Sequence, residues 1–101
     1  MDEHRFYLLG PPHLERNDLT INIPRRKQWG LITYLLLTQQ SHERDALAAL
    51  FWPTYNQSHA RANLRRELAR LRNILPELFL NCPAAVALHA QAQLWVDVWE
   101  F

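Results

Sequence analysis

Cysteine and glycine are almost missing from this 101-residue chain: Cys82 is the sole thiol, and Gly10 and Gly30 are the two glycines. One cysteine excludes an internal disulfide and gives no thiolate spacing for zinc. Two distant glycines cannot build a phosphate-cradling loop, and HExxH, GxSxG and CxxC motifs do not occur. The histidines His4, His13, His42, His59 and His89 are dispersed, and the carboxylates form no evident pair. Ser41, His42 and Asp45 lie close in sequence, but at a helix start their spacing is better explained by capping than by a catalytic triad. No enzyme activity, metal or cofactor is expected. A secretory apolar region and an apolar run long enough to span a bilayer are also lacking, so the expected setting is the cytoplasm and no membrane partner is foreseen.

What the chain does have is apolar mass, with 49% hydrophobic residues and four tryptophans. That composition argues against disorder. At this length a single domain, residues 1–101, buries roughly 60 to 68% of its unfolded surface and folds without a crosslink. The net charge of +1 hides an uneven distribution. Residues 1–57 sum to zero, residues 58–75 carry +4 and residues 76–101 carry −3. Positive potential is thus concentrated on one segment, as expected of a protein that meets a polyanion.

That segment, SHARANLRRELARLRNIL, holds five arginines and one glutamate. At about 100° per residue, Ala60, Leu64, Leu68, Leu71 and Leu75 fall within about 40° of one line, an inward stripe. The opposite side collects His59, Ala62, Arg66, Ala69, Arg70 and Asn73, with Asn63 and Arg65 at its edges. Arg and Asn match guanine and adenine edges in the major groove, and small alanines between them permit close approach. A solvated amphipathic helix is the plainer alternative.

The rest of the chain reads as strand, helix, strand. Residues 5–9 are β-prone and end at Gly10-Pro11-Pro12; residues 13–16 are extended, Asn17-Asp18 is a turn pair, and residues 19–23 alternate. A small antiparallel sheet is expected there. Residues 24–37 continue as a helix entered through Pro24, with Trp29, Ile32, Leu35 and Leu36 inward and Gly30 as a weak point. After a polar connection at 39–42, a second helix spans 43–52, with Leu47, Leu50 and Phe51 inward and Pro53 as its stop. Ser58 is the expected N-cap of the arginine helix. Residues 78–80 and 86–89 are expected to pair, and residues 94–101 alternate, which together suggest a C-terminal hairpin. The fold class is α+β, with the layout of a winged helix-turn-helix.

The segments PRRK, ALAALFWP, ARANLRRELARLR and WVDVWEF, in this order along the chain, resemble the DNA-binding domain of SARP-type transcriptional activators, the Streptomyces antibiotic regulatory protein family, which is of OmpR/PhoB winged-helix type. The resemblance implies an N-terminal β-sheet, three helices, a C-terminal β-hairpin wing and sequence-specific binding of double-stranded DNA by a bacterial transcription regulator. It also implies the front piece of a longer regulator, whose all-helical activator domain starts near residues 97–101. Carried onto this sequence, it makes His59, Ala62, Asn63, Arg65, Arg66 and Arg70 groove-facing. Arg61 and Arg72, at about 60° and 80° from the stripe, suit phosphates. Arg25, Arg26 and Lys27 oppose the dipole of the helix they start, which phosphate binding would explain and a solvated charge run would explain as well.

In related winged helices the link between the second and third helices contacts RNA polymerase. Here Tyr55 lies in that link, as a candidate contact or as a ring packed under the loop. The chain departs from the pattern at the wing: residues 81–92 contain no basic residue and no glycine. Minor-groove reading is therefore not implied, and Asn81 or His89 is left for sugar and phosphate contacts, or the segment serves packing. The alternative function is a winged helix that binds proteins such as RNA polymerase. Family members pair head-to-tail on direct repeats, so a monomer in solution that pairs on DNA is expected.

Overall fold

The structure, a computed structural model, describes residues 3–79, 85–89 and 93–100. Strands β1 (Glu3–Tyr7), β2 (His13–Arg16) and β3 (Leu19–Ile21) form an antiparallel meander. Asn17 and Asp18, with φ of 51° and 70°, turn β2 into β3. Asn and Asp tolerate this left-handed pair, whose twist matches that of a tight hairpin. The Asn17 side chain also accepts the Glu3 N–H at 3.0 Å, which ties the turn to β1.

Three helices follow among the described residues: α1 (Arg26–Thr38), α2 (Arg44–Phe51) and α3 (Gln57–Ile74). None of these is long and apolar enough to cross a membrane. Between α1 and α2 the chain makes a two-residue strand, β4 (His42–Glu43), where the sequence suggested a plain connection. It pairs antiparallel with β5 (Ala85–Val86). The reason is packing: Val86 is fully buried opposite His42.

The C-terminal strand corrects the sequence reading most. Residues 94–101 were expected to contribute to a C-terminal hairpin, and the N-terminal sheet to be antiparallel. Instead β6 (Gln93–Val96) joins that sheet parallel to β1, giving the order β3-β2-β1-β6, and Asp97–Glu100 form a 3-10 turn. Alternation fixes which side of a strand is buried but not which strand lies beside it. Here Phe6 and Val96 are register partners, and both are fully buried. Of the pairing expected between 78–80 and 86–89, the described residues show one antiparallel bridge, Phe79 with Leu88, reinforced by the His89 N–H donating to the Leu78 carbonyl. Asn81 and Cys82 lie outside the described residues.

One core collects Phe6 and Leu14 from the sheet, Leu31, Ile32, Leu35 and Leu36 from α1, Leu47 and Ala48 from α2, and Leu64, Leu68 and Leu71 from α3. Two inward assignments shift. Leu50 is 54% exposed and Ala48 takes the inner side of α2; on α1, Trp29 is half-buried while Gln28 and Leu31 face in. Gly30 has a reason to be there: a Cβ on it would meet the Phe51 ring at 3.1 Å, so its absence lets α2 seat closely against α1.

Asp97 locks the β6 end to the turn after β1. Its carboxylate accepts the Leu8 N–H at 2.9 and 3.0 Å and the Leu9 N–H at 3.0 Å. Desolvation pushes this carboxyl up, but backbone N–H groups of Leu8, Leu9, Val98 and Asp97 itself outweigh it and hold the group below the usual carboxylate range. A depressed folded-state pKa stabilises the fold above the unfolded value of about 3.9 and loses that contribution as pH falls through the folded value. Asp97→Asn should therefore melt below the parent at pH 7, and the two should converge as the pH is lowered below about 4. Thermal melts over a pH series check this; a constant gap at all pH values would remove the charge from the explanation.

Candidate nucleic-acid interface

Helix α3 is long for its surroundings, and its N-cap lies two residues before the expected Ser58. Asn56 is the N-cap, its Oδ1 accepting the His59 N–H at 2.9 Å. Asn is as good a cap as Ser. From there the periodicity holds over the whole helix: Ala60, Leu64, Leu68, Leu71 and the following Leu75 are each 3% exposed or less. Because one side is fully committed inward, the residues opposite it are held outward as a set.

His59, Arg65 and Arg66 are exposed, whereas Ala62, Asn63 and Arg70 are half-buried. Arg65, Arg66 and, at the start of α1, the exposed Arg26 make no ion pair among the described residues. Arg25, Lys27, Arg61 and Arg70, by contrast, are engaged. Arg61 grips Asp45 of α2 through Nε at 2.7 Å and Nη2 at 2.9 Å, a two-point bond that fixes α2 against α3. Hydrogen bonding to Arg61 holds the Asp45 carboxyl below its usual range. Arg72 is half-buried, and its Nη2 is enclosed without a hydrogen-bond partner among the described residues.

Lys27 has a structural use that its sequence position did not suggest. Its ammonium donates to the Phe51 carbonyl at the end of α2 and lies 5.4 Å from the centre of the Trp52 ring. A cation at a helix C-terminus complements the dipole there, which offsets its poor position at the start of α1. Tyr55, in the link between α2 and α3, is 53% exposed, so its ring does not lie packed beneath the loop.

The sequence reading missed Glu67. This carboxylate is 5% exposed and accepts from Arg70 Nη1 at 3.0 Å, Gln28 Nε2 at 3.2 Å and Arg25 Nη1 at 3.4 Å. It joins α1 to α3. Its angular position, about 60° from the leucine line, was the available signal: a charge on the shoulder of a buried stripe needs partners.

Chemically, the assembly offers a face of exposed guanidinium groups on a helix whose orientation is fixed by burial on one side and by ion pairs to α2 and α1. Among the described residues no group of three or more His, Cys, Asp or Glu side chains could hold a metal ion. No protein-family model matches the chain, and no curated protein matches it.

Proposed function

We propose that this chain is the sequence-specific, double-stranded DNA-binding domain of a bacterial transcriptional regulator, with α3 in the major groove. The observation that carries the reading is the pairing of a stripe buried to 3% or less with exposed Arg65 and Arg66 on the remaining circumference. Unpaired arginines on a fixed helix can form bidentate bonds to guanine at little cost in ordering. Helix α2, held to α3 by the Asp45–Arg61 bond, is the first helix of a helix-turn-helix. Base edges are met by His59, Ala62, Asn63, Arg65 and Arg66, near the start of α3, as in other proteins of this layout.

The finer reading is a winged helix of SARP type, with the β4–β5 pair and the Phe79–Leu88 bridge in the wing region. The domain is a monomer that pairs head-to-tail on direct repeats. Selection of bound fragments from random duplex DNA tests the proposal. A single enriched motif, whose binding weakens with salt with a log-log slope near −4 to −5 for roughly five phosphates, is the expected result. No enrichment, or binding indifferent to salt, would leave a protein-binding domain as the better description.

Tyr55 supports a second contact in the same complex. A half-exposed aromatic in the link ahead of α3 suits a protein surface, and RNA polymerase is the proposed partner. Tyr55→Ala should keep DNA affinity while lowering activation in a reconstituted transcription assay of the full regulator. Unchanged activation would discard this contact.

A further inference from the structure

Arg70 lies on the same side of α3 as Arg66 and Asn73, but its surroundings differ. Together with Arg25 it borders a depression of about 410 Å³, lined also by Pro24, Gln28, Asn73 and Ile74. Both arginines spend only Nη1 on the buried Glu67 carboxylate. Their Nε and Nη2 groups make no hydrogen bond among the described residues, and both side chains remain about half exposed. Two guanidinium groups against one carboxylate leave the depression with a net positive charge. Its floor is polar as well: Gln28 is 1% exposed, and its Oε1, buried beside the Glu67 contact, meets no donor among the described residues. The first turn of α1 adds backbone N–H groups with no acidic residue and no side-chain cap nearby.

Helix length decides what this site can meet. An α3 of 18 residues is about 27 Å long, whereas the major groove is about 12 Å wide. With the start of the helix among the base edges, residues three turns further on stand at the groove rim, where the backbone runs. We infer that Arg25 and Arg70, set in place by Glu67 and flanked by Asn73, form a seat for one backbone phosphate of duplex DNA at the edge of the groove read by α3. This rests on the DNA-binding reading above and changes the role of Arg70 from base contact to phosphate contact. A phosphodiester supplies the acceptors that the free guanidinium N–H groups need, and its hydration water supplies a donor for Gln28 Oε1.

The test is a salt titration of duplex binding for the parent, Arg25→Gln, Arg70→Gln and Asn73→Asp, using the selected sequence and a scrambled duplex. Melting curves establish that each variant is folded. Each arginine variant should reduce the log-log salt slope by about 0.9, and weaken both duplexes by the same factor. Asn73→Asp, which leaves the Glu67 contacts intact, should weaken both duplexes alike by setting a negative charge against the phosphate. Parent slopes in both arginine variants would overturn the seat while leaving DNA binding in place. Loss of discrimination in Arg70→Gln would overturn it too, by returning Arg70 to base reading. Failure of the parent to bind any duplex would instead refute the proposed function, and the seat with it. Saturable binding of inorganic phosphate at these residues by a parent that ignores duplex would mark the site as one for a small phosphate ligand.

Discussion

Leu68→Ala is expected to cost about 2 to 5 kcal/mol of folding stability, a large part of what a domain of this size has. Leu68 is 1% exposed in the middle of the α3 stripe, and it packs in the one core that joins sheet and helices. Truncation removes Cγ and both Cδ atoms where neither α1 nor α2 can collapse freely, since Glu67 and the Asp45–Arg61 bond hold both to α3. Urea or thermal unfolding reads the loss directly, and DNA binding should fail in proportion to the unfolded fraction. A variant that melts like the parent would mean that α3 is rotated differently, and the outward set would change with it.

Arg66→Ala is the second large effect, and it should leave stability nearly untouched. Arg66 is exposed and takes part in no ion pair among the described residues, so its removal breaks no internal contact. On the proposed function it should lower discrimination between the selected and a scrambled duplex by roughly 1 to 3 kcal/mol, the worth of one bidentate base contact. Arg61→Ala should behave differently, weakening every duplex alike because it releases the α2–α3 bond as well as a charge. Anisotropy titrations on the two duplexes separate these outcomes. Discrimination unchanged by Arg66→Ala would shift base reading to Arg65 and His59.

The sequence was informative wherever the physics is local. The five-position stripe of α3, the Asn17-Asp18 turn and the strand at residues 13–16 each depend on neighbours within a few residues, through side-chain period, left-handed tolerance and alternation. They stand in the structure where the sequence put them. Caps were less legible, because Asn56 and Ser58 are both good N-caps two positions apart, and the choice depends on how the loop from Pro53 arrives.

What the tertiary structure alone decided comes from contacts between distant positions. The Glu67 carboxylate meets Gln28 and Arg25 across 39 and 42 residues, and Asp97 meets Leu8 across 89. Nothing in a local window ranks these partners, since a carboxylate reads the same whether solvated or enclosed. The same holds for the strand at residues 93–96: its alternation determined that one side would be buried, while its parallel pairing with β1, which sets Val96 beside Phe6 in the core, is a contact between positions 90 residues apart. Periodicity therefore determined the outward face of α3. The buried carboxylate that ties Arg70 to Arg25, and divides that face between free and held arginines, was settled by how α1 packs against it.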